Sequence, residues 1–119
     1  MIREKTRTTN FTENELRYVM ERRLCRIALV SSDLLPHIIP VTYEFDGAYF
    51  YLSGWNVKYS QGFADIGQES KVTMLIDDLA SHNIWVPRGI EIVGTAETME
   101  RGDFPYLRIT PVTKTSWGL

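Results

Sequence analysis

The sequence predicts a mainly β protein: six antiparallel strands forming a barrel or sandwich, with an N-terminal helix and one crossover helix. Three observations carry this. Apolar residues recur at every second position in a series of short runs, the period of a half-buried strand. Most of these runs are joined by short turns, which bring consecutive strands together antiparallel. Only residues 55–68 leave room for a second helix between strands. At 119 residues the chain is one domain, 1–119, with enough length for a single core.

The helix comes first, in "NFTENELRYVMERRL". Thr12 followed by Glu15 is a capping box, in which each side chain satisfies the other's backbone donor. Phe11 and Leu16 occupy the positions of a hydrophobic staple. Leu16, Val19, Met20 and Leu24 line one face at helical spacing, so the helix is expected to cover the core with that face.

The strands follow. "CRIALVS" (25–31) is apolar and β-branched. In "HIIPVTYEF", His37, Ile39, Val41, Tyr43 and Phe45 share a face. Asp46-Gly47 signals a two-residue hairpin, and "AYFYLS" (48–53) returns with Ala48, Phe50 and Leu52 on one side. Three more strands are expected over 71–77, 88–100 and 105–111. Pro40 interrupts its strand, because it has no N–H for a ladder. It therefore marks an edge, a bulge or a place where the barrel opens. Such an opening would suit a flat ligand, flanked by Val41 and Thr42.

The crossover reads "SGWNVKYSQGFADI". Asn56 is a plausible N-cap for a helix over about 57–66. A helix N-terminus suits phosphate, and Lys58 and Ser60 are placed to supplement it, though an ordinary capped connector explains the same residues.

Composition narrows the function. Thirteen basic against 15 acidic side chains give a net charge of −2, so the basic footprint of a nucleic-acid binder is missing. One cysteine, Cys25, precludes an internal disulfide and fits a reducing, cytoplasmic setting. No apolar run is long enough for a membrane span or a signal core. His37 and His82 lie far apart, and neither pairs with Cys25 at metal-ligand spacing. Asp77 and Asp78 are adjacent on a strand and point to opposite faces, which argues against a carboxylate dyad. Difficult chemistry would therefore fall to a cofactor.

Three segments carry a resemblance: "FTENELRYVMERRLCRIALVSSDLLPHIIPVTYEFDG", "DDLASHNIWVPRGIEIVGTAE" and "LRITPVTKTSWGL". In their order the chain resembles the pyridoxamine 5′-phosphate oxidase-like, FMN-binding split-barrel family, in particular its small branch associated with the deazaflavin F420. The resemblance implies a six-stranded, Greek-key-like split barrel and a homodimer with two flavin or deazaflavin slots at the interface. It implies that residues 79–87 form an interface loop. In that loop Trp85 gives flat apolar surface, Pro87 fixes the exit and Arg88 pairs with a carboxylate or a cofactor phosphate. The aromatics Tyr49, Tyr51, Trp85 and Trp117, too many for one small barrel to bury, also point to a homodimer.

The implied cofactor site comprises Pro40, Val41 and Thr42 at the opening, with Trp85 and Arg88 from the loop. Ser53, Asn56, Lys58, Ser60 and Gln61 complete it along the crossover. One departure matters. Where similar proteins carry several Lys and Arg on the crossover helix, this chain has Gln61, Gly62 and Ala64. No catalytic side chain and no metal site are expected. The expected function is an F420- or FMN-dependent oxidoreductase passing hydride to or from a small planar substrate. The alternative is a non-catalytic flavin-binding or carrier protein.

Overall fold

The computed structural model describes residues 5–7, 11–30, 33–53, 70–102 and 104–119. Helix α1 spans Glu13–Glu21; strands β1 to β7 span Lys5–Arg7, Leu24–Val30, Pro36–Phe45, Phe50–Ser53, Ser70–Leu79, Pro87–Arg101 and Phe104–Trp117. The hydrogen-bonded order β7-β4-β3-β2-β5-β6 returns to β7 through the β6–β7 ladder, closing a six-stranded antiparallel barrel. The short β1 is an addition to the six expected strands and pairs with β7 at Thr113–Thr115. The predicted crossover helix over 57–66 lies outside the described residues, as do Asn56, Lys58, Ser60 and Gln61.

Alternation builds the core as the sequence predicts. Cys25, Ile27 and Leu29 of β2 face inward with Val41, Tyr43 and Phe45 of β3. Val72, Met74 and Ile76 of β5 meet Ile90 and Ile92 of β6 on the same inner face. Phe45 and Phe50 are cross-strand partners whose rings stack at 4.2 Å between centroids.

Two strand boundaries differ from expectation for identifiable reasons. Phe45 pairs with Phe50, so the hairpin turn has four residues, 46–49, in place of two. The Asp46 carboxylate accepts from the N–H groups of Ala48 (2.8 Å) and Tyr49 (2.7 Å), keeping both out of the strand. Strand β7 continues past Pro111 to Trp117, where the sequence predicts an end at 111. The register shifts there, Val93 facing Thr113 and Gly94 facing Pro111, so a bulge absorbs the proline and the ladder resumes.

Helix α1 carries the predicted capping box: Glu15 N–H donates to Thr12 Oγ1 at 3.1 Å, and Thr12 N–H to Glu15 Oε1 at 2.8 Å. Its buried face is a correction. Glu15, Tyr18 and Val19 point into the barrel end, while Leu16 and Met20 are 36% and 61% exposed. Leu24 is already in β2 and faces out. Polar partners set this rotation. Lys114 donates to Glu15 inside the barrel, Tyr43 Oη donates to the Val19 carbonyl at 2.6 Å, and Tyr18 Oη to Asp78 at 2.8 Å. Leaving those groups unpaired in a low-dielectric interior would cost more than exposing two apolar side chains.

Candidate functional site

The β3–β4 ladder runs only from Phe45↔Phe50 to Thr42↔Ser53. Among the described residues, β3 from Pro36 to Val41 therefore has β2 on one side and no second strand on the other. Pro40 sits in this stretch, past the end of the ladder and away from any β2–β3 register shift. Among the described residues the register shows no bulge at Pro40 and leaves it at an edge or opening.

Where the ladder exists, its outward side chains are Thr42 and Glu44 from β3 and Tyr51 and Ser53 from β4. They form one wall of a groove of about 780 Å³. Met20, Arg22 and Arg23, from the end of α1 and the turn into β2, form the opposite wall, and Arg101 enters from the end of β6. A contiguous hollow of about 580 Å³ shares Glu44, Tyr51, Ser53 and Arg101 and adds Pro105 and Tyr106. The aromatic side is ordered: Tyr51 Oη donates to Asp46 Oδ2 at 2.7 Å, and the Tyr51 and Tyr106 rings lie 6.3 Å apart. That bond to the carboxylate raises the Tyr51 phenol above its ordinary value and lowers Asp46, whose shift owes most to the turn N–H of Tyr49.

Behind the α1 wall lies a charged cluster. Arg88 grips Asp78 with both arms of its guanidinium, Nε to Oδ1 at 2.7 Å and Nη2 to Oδ2 at 3.0 Å, as cross-strand partners at the end of the β5–β6 ladder. Asp78 also accepts from Tyr18 Oη and, at 3.3 Å, from Arg22 Nη2. The Arg88 hydrogen bonds above all hold Asp78 far below the usual carboxylate range. Burial first, and then the bond to Asp78, push the Tyr18 phenol up. The Arg22 guanidinium stacks on the Tyr18 ring, 3.9 Å from its centroid, so the cluster fixes one arginine of the groove wall. Asp77 faces the other way and pairs with Arg26 at 2.8 Å, which bears out the separation of the two aspartates.

Thus two expected site residues, Thr42 and Ser53, meet in the groove. Val41 turns its side chain into the core, so only its backbone faces outward. Pro40, Trp85 and Arg88 do not line the groove. Trp85 is 79% exposed in the 80–86 loop beside Ile84 and Val86, which a hydrogen bond from Ala80 N–H to the Val86 carbonyl (2.8 Å) closes. Gly89 admits the Trp117 ring: a Cβ there would lie 2.7 Å from Trp117 Cζ2. Sequence reasoning missed Glu44 and the outward role of Tyr51, both readable from strand alternation, and Arg22, Arg23 and Arg101, which no local pattern announces.

Cys25 is buried, and burial pushes its thiol up to about 12, far from a reactive thiolate. Among the described residues no three His, Cys, Asp or Glu side chains gather to hold a metal ion. None of the described helices is long and apolar enough to cross a membrane.

A six-stranded antiparallel barrel whose β3–β4 ladder stops short, with a helix over one end and a groove outside the short ladder, defines a split barrel. It is the fold of the pyridoxamine 5′-phosphate oxidase-like proteins, so the resemblance read in the sequence holds in three dimensions. The chain is 27% identical over 119 aligned positions to the 5a,11a-dehydrotetracycline/5a,11a-dehydrooxytetracycline reductase of Streptomyces rimosus, covering 92% of this chain and 84% of that one. It superposes on the FAD binding protein of Mycobacterium smegmatis with a TM-score of 0.67 and 14% identity, over 98% of this chain and 99% of the other. A putative pyridoxamine 5′-phosphate oxidase of Corynebacterium glutamicum gives a TM-score of 0.64 and 19% identity, covering 92% of each chain. No family model matches the chain.

Proposed function

We propose that this protein is a flavin- or deazaflavin-dependent oxidoreductase, using F420 or FMN to pass a hydride to or from a small planar substrate. The observation that carries the reading is the groove beside the short β3–β4 ladder. It is about 780 Å³, large enough for a tricyclic ring, and it offers hydroxyls from Thr42 and Ser53 with arginines close by. Similarity to a reductase named for dehydrotetracycline substrates and to a protein named for FAD binding supports the same class.

The cofactor would supply the hydride chemistry. The chain's own part is to bind and orient. Thr42 and Ser53 would hydrogen-bond the ring edge, the Tyr51 and Tyr106 rings would offer flat surface, and Met20 would keep water from one side. We include Pro40, Val41, Asn56, Lys58, Ser60, Gln61, Trp85 and Arg88 in the proposed cofactor site. Arg88 would act there while paired with Asp78, and Trp85 would reach a slot shared between two copies.

The test is titration of the purified protein with F420, FMN and FAD, followed by cofactor fluorescence. At least one should be quenched or shifted at micromolar concentration, and Thr42→Val should weaken that binding by about 1 kcal/mol, the worth of one neutral hydrogen bond. Failure of all three to bind a folded protein would end the flavin reading. Binding without oxidation of the reduced cofactor by any candidate acceptor would favour the carrier alternative.

The proposed working state is a homodimer. Trp85 and Ile84 of the 80–86 loop, with Leu34 and Ile38 of the β2–β3 hairpin, are each more than half exposed. These exposed apolar side chains support that reading, because apolar surface left to water favours association. Light scattering at micromolar concentration should give about twice the 13.8 kDa chain mass, and Trp85→Asp should reduce it. A wild-type mass of one chain would remove the shared slot.

A further inference from the structure

We infer that Arg23 and Arg101 together bind an oxyanion, the phosphate or carboxylate arm of the groove's ligand. This deepens the flavin reading above and rests on it for the body of the ligand. Neither residue belongs to the crossover. Arg23 lies between α1 and β2, and Arg101 ends β6 just before the Gly102 turn. Only the closed barrel brings both to one groove.

Charge bookkeeping within that groove separates these two from the third arginine. Among the described residues, the lining holds Arg22, Arg23 and Arg101 against a single carboxylate, Glu44. Arg22 is already committed, to Asp78 at 3.3 Å and to Glu21 at 3.4 Å. Arg23 and Arg101 have no ion-pair partner among the described residues. In a chain of net charge −2, two guanidiniums that line one groove with no ion-pair partner among the described residues concentrate positive charge there. Guanidinium forks match the geometry of phosphate and carboxylate oxygens.

The sequence adds a reason. Across 54–69 the only basic side chain is Lys58, so the crossover brings little positive charge of its own. Arg23 at the α1–β2 turn and Arg101 at the end of β6 carry charge that the crossover does not. Solvated surface arginines would explain either residue alone. They do not account for two that line the same groove as Thr42 and Ser53 with no ion-pair partner among the described residues.

The test compares FMN with riboflavin, which share a ring system and differ in the phosphate, on wild type, Arg23→Gln, Arg101→Gln and the double variant. Wild type should bind FMN at least about tenfold more tightly than riboflavin, the size expected of charge-assisted contacts. In the double variant that ratio should fall to near one, with riboflavin affinity and melting temperature unchanged and each single variant in between. An unchanged ratio in the double variant overturns the inference. Inorganic pyrophosphate, followed by thermal shift, separates the two proposals. If F420, FMN and FAD all fail to bind but pyrophosphate stabilises wild type and not the double variant, the flavin reading fails and the anion site stands. If pyrophosphate stabilises neither and no flavin binds, both fall.

Discussion

Lys114→Met should cost about 3–5 kcal/mol of stability at neutral pH, the penalty for stripping a buried charge of its partner. Glu15 and Lys114 have side chains only 5% and 6% exposed, and they join α1 to β7 across the end of the barrel. Burial alone would raise the Glu15 carboxyl. The hydrogen bonds from Lys114, Thr12 N–H and Ser116, with the Lys114 charge, outweigh it and hold Glu15 below its ordinary 4.5. In the wild type, then, Glu15 contributes stability above pH 4.5, lost as pH falls through its lowered folded value. In Lys114→Met the sign reverses: burial raises Glu15, so the deficit is largest at neutral pH and shrinks as acid protonates the carboxyl. Urea unfolding at pH 7 and pH 5 should show the gap between variant and wild type narrowing at pH 5. Glu15→Gln with Lys114→Met should lose less than Lys114→Met alone, since the amide keeps the cap without a charge. A gap below about 1 kcal/mol at both pH values would mean the pair contributes little, as exposed pairs do.

Gly94→Val should lower the melting temperature by about 10 °C or more, from a loss at or above the upper end of about 1–3 kcal/mol. A Cβ at Gly94 would stand 2.4 Å from the Thr110 carbonyl oxygen and 3.0 Å from Ile109 Cγ2. The carbonyl is backbone, held within the β6–β7 ladder beside the register shift, and cannot rotate away as a side chain would. Gly47 is the control. Its φ of +99° makes substitution strained, but nothing lies within 4 Å of its Cβ position, so Gly47→Ala should cost less than Gly94→Val. Melting should be compared at equal protein concentration, because dimerisation shifts it. Wild-type melting for Gly94→Val would show that β7 can slide at its bulge. Pro105 and Tyr106 of β7 line the hollow beside the groove, so such slippage would also move that side of the site.

Much of this protein was legible from local pattern. Thr12 and Glu15 announce their capping box, because its bonds span three residues. Period-two alternation assigns Val41, Tyr43 and Phe45 inward and Thr42 and Glu44 outward, because a strand has only two faces. Asp77 and Asp78 separate for the same reason and find different arginines. The proline at 40 marks the open stretch of β3, since a residue without an N–H belongs where pairing is incomplete.

Other features were decided only by the closed fold. The helical wheel offers Leu16 and Met20 as the buried stripe, but Lys114 and Asp78, distant in sequence, turn Glu15 and Tyr18 inward instead. Pro111 reads as the end of β7 until the bulge opposite Gly94 absorbs it. Arg23 and Arg101 share a groove only because the barrel's closure returns the end of β6 to the side of the turn after α1. Secondary structure follows from interactions a few residues apart, which periodicity records. A site built from residues on different elements depends on how those elements pack, and no local period encodes that.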